Sequence, residues 1–88
     1  MHEKMPDSEV TGKIFVFLDE FAGLARDTIN IDTSLFLSGR LSSADAIDLF
    51  MFLDEAFGIK TDMINIDLAA WDTVGLIKDK ISHTELVR

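Results

Sequence analysis

The residues with chemistry to offer gather around one dipeptide, Ser42-Ser43, followed by Ala-Asp-Ala-Ile-Asp-Leu-Phe-Met-Phe-Leu-Asp-Glu-Ala-Phe over positions 44–57. A serine hydroxyl attacks a substrate only when a base takes its proton. The chain has 2 His, at positions 2 and 83, and no Cys, so no nucleophile–base pattern is readable. That argues against an enzyme, and catalytic residues are expected to be none. Without such a base, serines ahead of an apolar-patterned stretch read first as helix caps. A second candidate is the echo Asp27-Thr-Ile-Asn-Ile-Asp32 and Asp62-Met-Ile-Asn-Ile-Asp67. Its acids hint at calcium, but the EF-hand frame fails: position 3 is Ile, position 6 is not Gly, and no Glu stands at 12. Both copies read as loops pinned by Ile, with Asp and Asn favouring turns, and no metal is expected.

Composition narrows the field. A chain of 88 residues, 48% hydrophobic, suits one domain over 1–88, with an ordered core of about 8–82. The absence of Cys excludes a disulfide framework and a thiolate metal site. No apolar run reaches the roughly 20 residues of a membrane span. The polar start, Met1 to Ser8, lacks a signal-type stretch, so a cytoplasmic protein is expected. The net charge of −8 repels phosphate backbones and favours basic surfaces on other proteins.

The elements that must position Ser42-Ser43 follow from hydrophobic spacing. Asp7 and Ser8 follow the only Pro and are candidate N-caps. Val10, Ile14, Phe17, Leu18, Phe21 and Leu24 or Ala25 then recur at helical spacing, with an end near Gly23. Residues 26–42 have no helical period and form a long loop, anchored through Ile29, Ile31, Leu35, Phe36 and Leu37. A second helix starts behind Ser42, where Ser42-x-x-Asp45 resembles a capping box, and stops at Gly58. A short helical turn over 68–71 precedes a last helix, capped by Asp72 or Thr73, with Val74, Ile77 and Ile81 inward and fraying from His83. The expected fold is all-α: a small four-helix bundle, three main helices plus one short helix, with a long loop between helices 1 and 2.

On the wheel of the second helix, Ala46, Leu49, Phe50, Leu53, Ala56 and Phe57 share the core face. Asp45, Asp48 and Glu55 share another with Phe52, which is expected to be partly covered by a neighbouring loop. Ser43, Ile47, Met51 and Asp54 occupy the remaining arc. Large apolar side chains off the core centre and beside a charged rim are what a partner-binding helix offers.

Gly39-Arg-Leu-Ser-Ser43-Ala-Asp-Ala-Ile-Asp-Leu49 resembles the Gly-x-x-Asp-Ser-Leu-Asp-x-x-Glu-Leu motif of acyl carrier proteins. Phe52-Leu-Asp-Glu-Ala-Phe-Gly-Ile59 is similar to that family's Leu-Glu-Glu-x-Phe-Gly-Ile, Asp32-Thr-Ser-Leu-Phe36 to the loop before the motif, and Asp72-Thr-Val-Gly75 to the start of its last helix. The resemblance covers roughly residues 10–82. Its register selects Ser43 as the attachment site of 4'-phosphopantetheine, donated from coenzyme A by a phosphopantetheinyl transferase. The sequence departs from the family's Asp-Ser-Leu with Ser42-Ser43-Ala44. Ser42 keeps a capping role without the charge, and Ala44 replaces a leucine that in the family contacts the reading enzymes. The resemblance implies a monomeric carrier that presents an acyl group as a thioester. Its partners would be acyl-loading and acyl-using enzymes of fatty-acid or specialised lipid and secondary-metabolite synthesis. Asp45, Asp48, Asp54 and Glu55 would steer basic docking patches towards Ile47 and Met51. An aminoacyl or peptidyl carrier and a helical interaction module without prosthetic group are the alternatives.

Overall fold

The computed structural model describes residues 7–59 and 66–84. Three α-helices form: α1 (Asp7–Ala22), α2 (Ser43–Phe57) and α3 (Val74–Thr84). Single 3-10 turns lie at Arg26–Thr28 and Leu68–Trp71. The described residues contain no strand, so the fold is all-α. Among the described residues, no helix is long and apolar enough to cross a membrane.

The core is assembled from one stripe of each helix. Val10, Ile14 and Leu18 of α1 meet Leu49 and Leu53 of α2, Val74 and Ile77 of α3, and Leu35 from the loop, all fully buried. Each such side chain contributes roughly 1.5–3 kcal/mol of transfer free energy. Together these contacts, more than helix propensity, hold helices this short.

Several expectations are corrected at the edges of this core. Asp7 and Ser8 lie inside α1 rather than before it, so its cap falls outside the described residues. Phe21 has the right period, yet α1 ends at Ala22 and its ring projects past the core into solvent. Phe15 and Phe17 take the buried aromatic positions instead. Ile31 and Leu37 of the loop are exposed, whereas Ile29, Leu35, Phe36 and Leu41 are buried. Ala56 is exposed rather than on the core face. Phe52 is covered by α1, not by a loop: its ring stacks on Phe17 at 4.6 Å. Finally, α3 continues through Thr84, so His83 and Thr84 belong to the helix. Much of the second acidic echo, positions 62–65, lies outside the described residues. In the first copy Asn30 builds a turn, its Oδ1 accepting from the Asp32 amide at 2.7 Å while its own amide donates to Thr33 Oγ1.

The long loop is clipped to the start of α3. Asp72 Oδ1 accepts from the amides of Leu35 (3.2 Å), Phe36 (2.7 Å) and Leu37 (2.9 Å). The Leu35 amide also reaches the Asp72 carbonyl, and the Gly75 amide donates to Ile31 O at 2.9 Å. A Cβ at position 75 would stand 3.1 Å from that carbonyl, so any side chain there would have to push the loop back by a few tenths of an ångström. Thr73 caps α3, its Oγ1 accepting from the Leu76 amide at 3.0 Å, which leaves Asp72 for the loop. Burial raises the Asp72 carboxyl pKa, but the neighbouring Ser34 hydroxyl and the Leu37, Phe36 and Leu35 amides outweigh it. The net direction is downward.

Candidate functional site

The loop delivers Ser42 and Ser43 to the amino end of α2. Leu41 is buried and its amide donates to Leu35 O at 2.8 Å, so the chain enters the helix from a fixed anchor. Ser42 then leaves extended, at φ −90° and ψ 175°, as the N-cap. A reciprocal capping box closes around it. The Asp45 amide donates to Ser42 Oγ at 3.2 Å, and the Ser42 amide donates to Asp45 Oδ2 at 2.9 Å. Of the first-turn amides, those of Ser43 and Ala44 take no part in the box. Ser43 itself is the first residue of α2 and is exposed. The other end closes as expected: Gly58 adopts the left-handed conformation at φ 71°, and its amide donates to Asp54 O at 2.9 Å.

The other candidate residues divide by face. Ile47 is 50% exposed and Met51 61%, on the side of α2 away from its buried Ala46, Leu49, Phe50 and Leu53. Asp48, Asp54 and Glu55 are exposed as well. Asp45 is half-buried, and its carboxylate is committed to the Ser42 amide, which makes it a structural cap before it is a docking charge. Because Met51 stands in solvent, Met51→Ala is expected to change the unfolding free energy by no more than about 0.5 kcal/mol. A buried methionine would lose about 2–5 kcal/mol. A urea titration separates the two.

A scan against protein-family models and a search of the curated proteins found no match to the chain. The site therefore stands on its own geometry. An exposed hydroxyl at the first turn of a helix, with unused amides beside it and the positive dipole end below it, suits a phosphodiester anion. The carboxylate of the same turn, that of Asp45, is held by the Ser42 amide. The first turn of α2 therefore fits a phosphate ester at Ser43.

Sequence reasoning missed that Asp72 clips the loop at Leu35–Leu37 and that Leu41 anchors the entrance to α2. A signal for Asp72 was there: Asp72-Thr73 offers one helix start two capping side chains, and only one can serve. It also missed the outward course of Phe21, which lines a small recess together with Asp45 and Asp48.

Proposed function

We propose that this chain is a carrier protein of the acyl carrier type, with 4'-phosphopantetheine esterified to Ser43 and α2 as the helix its partners read. The observation that carries this reading is an exposed serine at the first turn of a helix capped at both ends, with Ile47 and Met51 exposed on the same helix. The short turn Leu68–Trp71 then corresponds to the short helix of a four-helix carrier bundle. When bound, the prosthetic group supplies the thiol that this Cys-free chain lacks and holds an acyl or aminoacyl cargo as a thioester. Once Ser43 is esterified, the protein's own residues take no further part in bond chemistry. Ser43 and Ala44 offer amides to the phosphate, and the Ser42–Asp45 box holds that turn in shape. Asp48, Asp54 and Glu55 steer basic surfaces of the transferase and of acyl-transferring enzymes, giving fast and salt-sensitive encounters. Ile47 and Met51 supply the apolar contact. The reading places the protein in the cytoplasm as a monomer.

Intact-mass measurement on protein purified from its own host tests the proposal. The expected result is an added phosphopantetheine mass on a peptide that contains Ser43. Protein that stays unmodified in its host, and after incubation with coenzyme A and a broad-specificity transferase, would instead be an interaction module without prosthetic group.

A further inference from the structure

Beside the Ile47–Met51 face, α2 has a second outer side, turned towards the end of α1. Phe17, Phe21, Ala22, Leu41, Asp45 and Asp48 line one small recess there. Phe21 is 73% exposed, yet its ring is held in place. It stacks on Phe17 at 5.0 Å and 25°, Phe17 stacks on Phe52 at 4.6 Å, and Phe52 meets Phe57 edge-on at 6.0 Å. Phe21 thus ends a file of rings across α1 and α2, with one face covered and the other open to water. Leaving most of a phenyl ring in water gains little in folding, and Phe21 is not part of the buried core.

The surroundings of that ring are acidic. Asp48 is exposed and has no cationic partner among the described residues. Asp45 lines the same recess, although its carboxylate accepts from the Ser42 amide. A phenyl face attracts a cation through its quadrupole, and a carboxylate at its edge adds a hydrogen-bonding counter-charge. Guanidinium satisfies both together, since it lies flat on a ring while its edge N–H groups reach a carboxylate. An ammonium group has no flat face to stack. The ring half of this arrangement already occurs within the chain, where the Arg26 guanidinium lies 3.7 Å from the centre of the Phe15 ring while donating to the Ile29 carbonyl.

We infer that Phe21 and Asp48 form an arginine-binding corner on the α1 side of α2, and that it receives an arginine from the basic patch of a partner protein. This deepens the carrier reading and rests on it for the partner's identity: it assigns the docking surface a residue on α1 and a preference for arginine over lysine.

Amide NMR titration of the full chain with an oligo-arginine peptide and an oligo-lysine peptide of equal length tests it. The arginine peptide is expected to bind about two- to fivefold more tightly, the range a solvent-exposed cation–π contact supplies. Its shifts should centre on Phe21, Ala22, Leu41 and Asp48. Phe21→Leu keeps an apolar side chain but removes the ring. It should erase the arginine preference and leave the melting temperature unchanged, while Asp48→Asn should weaken arginine-peptide binding. Equal affinity for the two peptides, or a preference that survives Phe21→Leu, overturns the inference. So do shifts centred on Ile47 and Met51 instead. Because no loading is involved, the two claims fail separately. A chain that never accepts phosphopantetheine but prefers arginine through Phe21 keeps the corner and loses the carrier reading. A chain that loads at Ser43 without any preference loses only the corner.

Discussion

Asp72→Ala is expected to lower the unfolding free energy by about 2–4 kcal/mol, the largest loss from any single polar residue described here. The size follows from what each amide keeps. Leu35 retains the carbonyl of residue 72 as an acceptor. Leu37 is exposed, so water reaches its amide once the carboxylate is gone. The Phe36 amide, in a buried residue and 2.7 Å from Oδ1, is stranded. Against the roughly 4–13 kcal/mol typical for a chain of this length, the loss is substantial. Acid should reproduce part of it. The Asp72 carboxyl is held below its ordinary 3.8, so near that pH the unfolded chain binds protons that the folded chain refuses. Its contribution is complete above 3.8 and fades as the pH falls from there through the folded value. Asp72→Asn, which keeps an acceptor without the charge, should lose less stability and flatten that acid limb. Chemical denaturation across the acid range measures both. An alanine variant within about 0.5 kcal/mol of the parent would mean that the loop holds itself without the clip.

The second large effect concerns adjacent serines with opposite fates. Ser43→Ala should abolish phosphopantetheine loading by a transferase and coenzyme A, with little change in the melt, because the Ser43 side chain is exposed and the capping box does not use it. Ser42→Ala should load, but it should lose about 1 kcal/mol of stability with the hydroxyl that accepts from the Asp45 amide. Mass spectrometry and thermal melts on both variants decide the matter. Loading that survives in Ser43→Ala and vanishes in Ser42→Ala would shift the attachment register by one residue.

How far such features can be read from sequence depends on the range of the interactions that produce them. The bounds of α2 were legible because its stop signals are local: Ser42 and Asp45 are three residues apart, and Gly58 closes on Asp54. The exposure of Ile47 and Met51 was legible because a wheel needs only a period. Phe21 shares that period and still points to solvent, since periodicity assigns a direction but not where the neighbouring helix ends. The loop residues were harder. With no period in 26–42, Ile31 and Leu37 could not be told from Ile29 and Leu35, and their fates are set by Asp72 and Gly75 far along the chain. Phe52 needed the position of Phe17 on another helix. Charge was the least informative guide to role, because Asp45 carries two readings in the sequence, a capping-box acid and a docking charge, and only the fold commits its carboxylate to the cap.

The caps at both ends of α2 draw only on residues of that helix and its immediate flanks. The ordering entropy of the helix is therefore spent during folding, and a visitor meets a surface already in its final shape. Encounter includes no coil-to-helix step, so association can run at the rate that electrostatic steering allows. On the carrier reading, brief residence would then come from a small contact area and fast dissociation, not from slow arrival. A partner that stays longer would have to gain surface beyond α2, and the exposed Phe21 on α1 is the nearest apolar extension.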